Sequence, residues 1–292
     1  MFTGRKIALI FIIAALTAGI FLFVVLRSEG VPDSVSVEAT SPVPVHTVIG
    51  SSVEERDIDA YTYGNGETHL VFVGGVHGGY EWNSVLLAYQ FMDYIDTNPE
   101  AVPESLMVTV IPSANPDGLY QVVHKEGRFT AADVSTDVTE GLGRFNANGV
   151  DLNRNFDCKW KSESTWRGKS VSAGSAPFSE PETQAIQNFV LKNNPDALVF
   201  WHSQANTVYA SECENGILPE TLKIMGIYAK AARYLAVDSF DAYEITGDAE
   251  GWLASIGIPA ITVELQTHET IEWERNLEGI KALFEYYANM AE

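Results

Sequence analysis

Basic residues are scarce in this sequence. Its 292 residues include 18 Lys and Arg against 39 Asp and Glu, which gives a formal net charge of −21. Because a phosphate backbone would be repelled by such a chain, we expect no nucleic-acid partner. Internal repeats are also lacking, and the 46% hydrophobic content excludes a disordered chain. The length is sufficient for a targeting segment and one large domain with a full core.

One long run of the sequence contains no charge. It extends from Ile7 to Leu26 and, as a helix, is long enough to cross a bilayer core of about 30 Å. Arg5 and Lys6 precede it, which favours a cytoplasmic N-terminus. A cleaved signal peptide is the alternative, but the run is longer than a usual signal core and no small-x-small cleavage pattern follows it. We therefore predict a single-pass membrane protein whose catalytic part lies on the extracytoplasmic side.

The sequence divides into three parts on this interpretation. Residues 1–27 form the transmembrane signal-anchor, and residues 28–45, which contain three prolines without a helical or strand period, form an extended linker. Residues 46–292 form the folded domain. Cysteine is nearly absent, with only Cys158 and Cys213. In an exported domain such a pair predicts a disulfide, with two buried free thiols as the alternative.

Strand-like and helix-like patterns alternate from residue 46 onward. Besides two short β-prone runs at its start, the domain has four predicted buried strands, at Leu70–Val73, Leu106–Ile111, Ala197–Trp201 and Ala260–Leu265. The predicted helices are Asn83–Tyr94, Pro181–Lys192, Pro219–Leu235 and Ile271–Ala288. Residues 119–150 are expected to be irregular. The alternation predicts a single α/β domain with a central mixed, mostly parallel twisted sheet flanked by helices.

Four polar side chains follow or end predicted strands. They are His77, Glu81, His202 and Glu264, and open α/β sheets place their sites at such strand ends. A lone histidine at a strand end is usually a satisfied polar cap, but a charge on a buried strand, as at Glu264, is costly unless it is used. Two imidazoles and one carboxylate with an open fourth position form the ligand set of a catalytic zinc. A separate carboxylate can then act as the base toward water at the metal.

A second group of polar residues lies between Arg144 and Phe156. Asn153 and Arg154 are adjacent, and an amide beside the rigid donor fork of a guanidinium makes a cradle for a carboxylate. Arg144 supplies a second fixed cation, and Asp151 is an acceptor suited to orienting a histidine. A polar loop rich in Asn/Gly turn chemistry is the alternative interpretation.

Six motifs, in order, resemble the zinc carboxypeptidase family, the carboxypeptidase A-like metallopeptidases, over about residues 46 to 290. They are Gly-Val-His77-Gly-Gly-Tyr-Glu81-Trp, Asn115-Pro-Asp-Gly118, Gly149-Val-Asp-Leu-Asn-Arg-Asn-Phe156, His202-Ser-Gln, Tyr243 with Gly247 after it, and Thr262-Val-Glu264-Leu. One departure concerns the family's His-x-x-Glu motif, because Glu81 is four residues after His77. The tryptophan that follows Glu81 favours a one-residue loop expansion over loss of the ligand.

The resemblance implies a catalytic centre with one Zn²⁺ per domain. His77, Glu81 and His202 would be its ligands, and Glu264 would be the general base and acid. Arg144 would polarise the scissile carbonyl and stabilise the oxyanion.

The resemblance also implies a substrate pocket. Asn153 and Arg154 would clamp the terminal carboxylate of the substrate, and Tyr243 would close over it. Glu250, seven positions after that tyrosine, would line the bottom of the pocket and favour a basic last residue. Asp151 would be the partner behind the first metal-binding histidine.

The expected function is therefore that of a membrane-anchored, extracytoplasmic zinc metallocarboxypeptidase that removes C-terminal residues from peptides. The nearest alternative keeps the zinc and changes the substrate: an amidohydrolase acting on cell-wall peptides beside diaminopimelate, or on N-acyl amino acids. An inactive binding module or a structural anchored domain would not need Glu264 with the full ligand set. The other histidines, His46, His69, His124 and His268, have no comparable sequence context and are not expected to act directly.

Overall fold

The computed structural model describes residues 43–136, 140–240 and 243–290. The predicted anchor at residues 1–27 and nearly all of the predicted linker lie outside these ranges. Among the described residues, no helix is both long and apolar enough to cross a membrane.

A large mixed sheet forms the centre of the domain. In chain order, the strands are β1 (Val45–Ser51), β2 (Asp57–Gly64), β3 (Thr68–Val73), β4 (Leu106–Ile111), β5 (Glu163–Trp166), β6 (Lys169–Ser172), β7 (Ala197–Ser203), β8 (Thr207–Ala210), β9 (Glu212–Cys213), β10 (Gly216–Ile217), β11 (Leu235–Val237) and β12 (Ala260–Leu265). Eight of them pair in the order β1-β2-β4-β3-β7-β12-β8-β11, whereas β5 with β6 and β9 with β10 form separate two-stranded ribbons. The predicted mixed sheet is confirmed.

The middle of the sheet is parallel. β4, β3, β7 and β12 run in the same direction, and β8 with β11 is the other parallel pair. The antiparallel pairings are β1 with β2, β2 with β4, and β8 with β12. Because the four central strands are parallel, their carboxyl ends meet at one edge, where an open sheet places its site.

Helices cover both faces of the sheet. They are α1 (Trp82–Thr97), α2 (Pro116–Val123), α3 (Pro181–Asn193), α4 (Pro219–Ala232), α5 (Ala249–Ser255) and α6 (Trp273–Met290). Successive side chains of a strand point to opposite faces. Accordingly, Leu70 and Phe72 of β3 pack in one apolar cluster with α1, α2, α4 and α6, while Val71 and Val73 pack in a second with α3 and α5.

The prediction of an irregular segment at residues 119–150 is wrong at its beginning. Helix α2 starts at Pro116 and continues to Val123, with the Asn115 side chain accepting a hydrogen bond from the Gly118 N–H at 2.9 Å. Proline at the first helical position and asparagine at the N-cap are both favourable. The helix is short, and its apolar face becomes evident only when it packs against the first cluster.

Candidate metal centre and substrate cavity

The loop after β3 carries His77 and Glu81. A short 3₁₀ helix, Gly78–Glu81, follows His77 and leads directly into α1. Gly78 has φ +43°, and a Cβ there would lie 2.7 Å from the Gly143 carbonyl oxygen. A side chain at this position is therefore excluded by the close approach of the loop at Gly143. The loop between His77 and Glu81 is one residue longer than in the family's His-x-x-Glu motif. Gly78 and Gly79 let it turn tightly enough to place Glu81 beside His77.

His202 and Glu264 come from neighbouring parallel strands. His202 lies in β7 and Glu264 in β12, and the two residues are register partners. Because of this pairing, the half-buried Glu264 side chain lies next to the histidine at the carboxyl edge of the sheet. Its Oε2 atom is buried without a hydrogen-bond partner among the described residues.

His77, Glu81 and His202 form one buried cluster in which one ligand atom from each lies within 4.8 Å of the others. Glu81 Oε1 is 2.9 Å from His77 Nδ1, and Glu81 Oε2 is 3.0 Å from His202 Nδ1. The two Nδ1 atoms are 3.3 Å apart. The predicted ligand set is therefore brought together.

The far nitrogens of both histidines face carboxylates. His77 Nε2 is 3.4 Å from Asp151 Oδ1, and His202 Nε2 is 3.6 Å from Glu250 Oε1. An acceptor behind a histidine favours the proton on that far nitrogen. In that tautomer each ring directs its Nδ1 lone pair toward the carboxylate of Glu81, so the three groups can serve together as ligands of a cation.

The buried charges of the centre shift one another's pKa values. Burial alone would raise the pKa of Glu81, but His77 and His202 hold it well below its ordinary value. Burial lowers the pKa of His202, yet the carboxylates of Glu81, Glu250 and Glu264 outweigh burial and raise it to about 9. Burial, and then the charge of Glu81, raise the pKa of Glu264 to about 8. A bound cation would lower the pKa of this carboxyl group.

Asp151 connects the centre to Arg144. Its Oδ2 atom accepts a hydrogen bond from Arg144 Nε at 3.0 Å and forms an ion pair with Arg144 NH2 at 2.9 Å. Burial alone would raise the pKa of Asp151, but Arg144 and His77 hold it far below its ordinary value. The NH1 group of Arg144 lies 3.8 Å from Glu81 Oε1. The arginine is thus held on one side and leaves NH1 beside the cluster.

Asn153 and Arg154 lie in the wall of the same cavity. Arg154 is 2% exposed, and its Nε has no partner among the described residues. Asn153 Oδ1 accepts a hydrogen bond from the Ala249 N–H at 2.9 Å, at the first residue of α5. Since its oxygen is used in this way, the carboxamide of Asn153 presents its NH₂ group as a donor.

The Cys158–Cys213 disulfide, predicted as one of two alternatives, is present. It joins the loop after Arg154 to β9. The Gly247 N–H donates to the Cys158 carbonyl at 2.7 Å, and its φ of +70° brings it so close to the Arg154 carbonyl that a Cβ would lie 2.1 Å from that oxygen. The disulfide therefore fixes the segment that carries the two predicted clamp residues.

Glu250 and Asp248 make this side of the cavity acidic. Glu250 is 3% exposed, and its Oε1 accepts a hydrogen bond from Thr262 Oγ1 at 2.7 Å. Burial, and then the charge of Glu250, raise the pKa of Asp248 to about 6. Within the described ranges, no lysine or arginine forms an ion pair with Glu250.

A single cavity of about 540 Å³ brings together the predicted site residues other than Asp151. It is lined by His77, Glu81, Arg144, Asn153, Arg154, His202, Asp248, Glu250 and Glu264. Tyr243 also lines it and has a ring contact with Phe240, the centroids lying 4.8 Å apart. Tyr80, Trp166 and His268 are among the lining residues that were not predicted from the sequence. His268 was not expected to act, because its place four residues after Glu264 forms no recognisable motif.

Comparisons with known proteins agree with this geometry. Residues 35–278 match the family model described as zinc carboxypeptidase. Gamma-D-glutamyl-L-diamino acid endopeptidase 1 of Lysinibacillus sphaericus is 25% identical over 255 residues, covering 80% of this chain and 63% of the relative. Murein peptide amidase A of Escherichia coli K12 is 32% identical over 131 residues, covering 41% of this chain and 50% of the relative. The chain thus spans less than two thirds of the length of these curated relatives.

A solved structure gives the same fold. Carboxypeptidase A from Helicoverpa armigera superposes with a TM-score of 0.65 at 19% identity, covering 85% of this chain and 68% of the other. The family uses Zn²⁺, and the His77–Glu81–His202 cluster is a group of described residues able to hold it. The chain belongs to the zinc carboxypeptidase family of hydrolases.

Proposed function

We propose that this protein is a zinc metallocarboxypeptidase, which hydrolyses the amide bond before a terminal residue with a free carboxylate. The supporting observation is that one cavity contains the His77–Glu81–His202 cluster, Glu264, and the Asn153–Arg154 pair. A zinc site of this kind occurs in many hydrolases, but the Asn153–Arg154 pair would bind the terminal carboxylate and so favour cleavage at the C-terminal end of a substrate.

Glu264 and Arg144 carry out the chemistry beside the metal. Zinc, when bound by the cluster, supplies Lewis acidity toward the carbonyl and toward water. Glu264 accepts a proton from the water as the new C–O bond forms and returns it to the leaving nitrogen as the C–N bond breaks. Arg144 NH1 donates to the carbonyl oxygen as that oxygen gains negative charge, while Asp151 holds the rest of the guanidinium.

Asn153 and Arg154 bind the terminal carboxylate. The buried guanidinium of Arg154 has an unpartnered Nε, and a carboxylate can accept two hydrogen bonds from such a fork. Arg154 NH1 and NH2 already donate to the carbonyl oxygens of Asn153 and Thr165, but an amidated terminus cannot supply the charge, so it would leave the buried cation without a carboxylate partner. Tyr243 lies at the same cavity, where its side chain would close over the bound residue.

Glu250 selects a cationic last side chain. It is a buried carboxylate on the clamp side of the cavity, and Asp248 adds to its field. An amine or guanidinium would pair with this otherwise costly charge. Lysine, arginine and the amine end of a diamino acid all meet this requirement.

The same acidic pocket favours a second candidate, hydrolysis of cell-wall peptides beside a diamino acid. One relative is named a gamma-D-glutamyl-L-diamino acid endopeptidase and another a murein peptide amidase. A diamino acid carries both the carboxylate for Arg154 and an amine for Glu250. The two candidates therefore differ in the acyl group before the scissile bond and share the leaving residue.

A substrate panel tests both candidates. Full-length, zinc-loaded protein would be offered matched peptides ending in Lys, Phe or Glu, an amidated Lys peptide, and a γ-D-glutamyl-Lys peptide. We expect the free Lys peptides to be cleaved with the highest kcat/KM and the amidated peptide to resist cleavage. Glu250→Gln should lower the Lys/Phe ratio at saturating zinc. Faster cleavage of Phe than Lys, or an unchanged ratio in the variant, would remove Glu250 from the pocket.

We also propose that residues 1–27 anchor the protein in a membrane, with the catalytic domain on the extracytoplasmic side. The uncharged run from Ile7 to Leu26, with Arg5 and Lys6 before it, supports this location. Cell-wall peptides would be accessible to an enzyme held there. Fractionation of expressing cells tests the anchor.

A further inference from the structure

A chain of hydrogen bonds beside the metal cluster fixes the orientation of one amide. Asn83 Nδ2 donates to the carbonyl oxygens of Thr267 at 2.6 Å and Thr270 at 2.9 Å. Because both partners are acceptors, the NH₂ group must face them. Asn83 Oδ1 is therefore the atom that lies 3.1 Å from Ser203 Oγ.

This orientation determines the tautomer of His268. Ser203 has one hydroxyl proton, and it is donated to the acceptor Asn83 Oδ1. The Ser203 oxygen must then accept from His268 Nδ1, which is 2.7 Å away. The neutral ring therefore carries its proton on Nδ1 and a lone pair on Nε2. Burial, and the nearby positive charges of Arg144 and Arg167, lower the pKa of His268, which keeps the ring neutral near pH 7.

The ring of His268 lies where a substrate would pass. It lines the cavity, and its centroid is 4.5 Å from that of Tyr80, which immediately precedes Glu81. The Arg144 guanidinium lies 5.8 Å from the same tyrosine ring. Nε2 of His268 has no hydrogen-bond partner among the residues that the structure describes, so its lone pair is available to a ligand.

On the proposed function, this part of the cavity is assigned to the acyl half of the substrate. The leaving residue would occupy the clamp of Asn153 and Arg154 with Glu250 nearby, and among the described residues no hydrogen bond or ring contact joins these three to His268 or Tyr80. The space beside the cluster at His268 and Tyr80 would then take the chain on the amino side of the scissile bond. A peptide there presents backbone N–H groups, which are the complement of a lone pair fixed on Nε2.

We propose that His268 is a substrate-binding residue whose Nε2 accepts a hydrogen bond from a backbone N–H on the acyl side of the scissile bond. The proposal rests on the proposed function, because the clamp defines which end of the substrate lies where. It gives the cavity a preference for peptidic acyl groups over acyl groups that present only carbonyl or carboxylate oxygens near this ring.

The experiment couples a change in the enzyme to a change in the ligand. Full-length, zinc-loaded protein in a Glu264→Gln background, which does not consume its ligand, would bind an acylated tripeptide ending in Lys. Two analogues replace one acyl-side N–H by an ester oxygen, either at the penultimate residue or at the residue before it. Dissociation constants would be measured by calorimetry, and kcat/KM for the same compounds with the unmodified catalytic glutamate.

Two substitutions separate the contacts of the ring. In His268→Asn, the amide reaches the position of Nδ1 and retains the Ser203 contact but lacks Nε2. In His268→Gln, the longer amide reaches the position of Nε2 and can accept a hydrogen bond there. We expect one of the two ester analogues to bind about five- to tenfold more weakly than the parent to the protein with His268, as expected for one lost hydrogen bond. His268→Asn should bind parent and analogue equally, and His268→Gln should recover part of the difference.

The outcomes are distinct. Equal binding of parent and both analogues by the protein with His268, or an undiminished difference in His268→Asn, would overturn the proposal. So would a dependence on His268 seen only with a γ-D-glutamyl ligand, because its acyl-side carboxylate would then be the partner. Absence of hydrolysis of any peptide by the unmodified enzyme would refute the proposed function, while the binding comparison would still test His268.

Discussion

Individual atoms determine what the metal centre can bind. Asp151 and Glu250 lie behind the two histidines and favour protons on the far nitrogens. With the protons there, both near nitrogens can direct lone pairs toward the position of a cation beside Glu81, and such a cation would take the place of the second proton that raises the charge of the His202 ring. Glu264 is close to this cluster but not part of it, so its removal should affect turnover and not metal binding.

The first prediction at this scale concerns Glu264→Gln. The change is nearly isosteric and removes only the proton acceptor, so kcat should fall by about 10²–10⁴. The variant should retain one zinc per chain, measured by metal analysis after gel filtration. His202→Ala, in contrast, removes a ligand and should lose the metal.

Glu269→Gln is the matched control, because Glu269 is an exposed glutamate five residues further along the chain. It should change neither the zinc content nor kcat. Near-normal turnover in Glu264→Gln would assign the proton transfer to another group. Stoichiometric zinc in His202→Ala would remove this histidine from the ligand set.

At the scale of elements, the clamp depends on a loop held from both sides. The Phe156 N–H donates to the Gly247 carbonyl at 2.9 Å, the Gly247 N–H donates to the Cys158 carbonyl, and the disulfide ties Cys158 to β9. Helix α5, which carries Glu250, begins two residues after Gly247. One loop thus positions both the carboxylate clamp and the acidic pocket.

Removing the disulfide tests this arrangement. The cysteines are 55 residues apart, and a loop of that length gives an upper estimate of about 4 kcal/mol from chain entropy. The Cys158→Ser/Cys213→Ser variant should lose up to that much free energy of unfolding in urea. Its KM for free-carboxylate peptides should rise more than its kcat falls, because Arg154 loses its support.

The reduced wild-type protein is the control, and it should behave like the double variant. Two reactive thiols in the denatured, unreduced protein would show that the bond does not form. An unchanged KM in the double variant would show that Gly247 alone holds the loop.

The elements that the sequence predicted best are those with a local signal. β4 and β12 have the predicted bounds because each is a short, mostly apolar run, broken only by Thr109 in β4 and by Thr262 and Glu264 in β12. Helix α4 ends at Ala232, three residues before the predicted end, because Arg233 adopts a left-handed conformation and the chain continues into β11 at Leu235. β8 and β11 were missed, since they are short and depend on pairing with distant strands.

Residues of the candidate site were likewise predictable where the local sequence carried a signal. His77, His202 and Glu264 were predictable because each lies at or just after a buried strand. His268 was not predictable, because its significance depends on Asn83 and Ser203, which are 185 and 65 residues away in sequence. Such hydrogen-bond networks arise from tertiary packing and leave no periodic pattern in the chain.

The whole molecule combines an acidic domain with an uncharged N-terminal run. A net charge of −21 favours solubility of the folded part, whereas the run from Ile7 to Leu26 should partition into a bilayer. We therefore expect full-length protein expressed in a bacterial host to sediment with the membranes and to require detergent for release. The chain starting at residue 46, without a targeting segment, should remain in the soluble fraction with its zinc.

The orientation of the protein in the membrane can be tested directly. With Arg5 and Lys6 held in the cytoplasm, the catalytic domain of the full-length chain should be digested by protease added to spheroplasts, while a cytoplasmic marker is protected. Replacing Arg5 and Lys6 by glutamate should reduce the exposed fraction, since the orientation signal is removed. Complete protection of the domain would place it inside the cell and separate it from cell-wall substrates. Release of a chain shortened near residue 27 would show instead that the segment is a cleaved signal peptide.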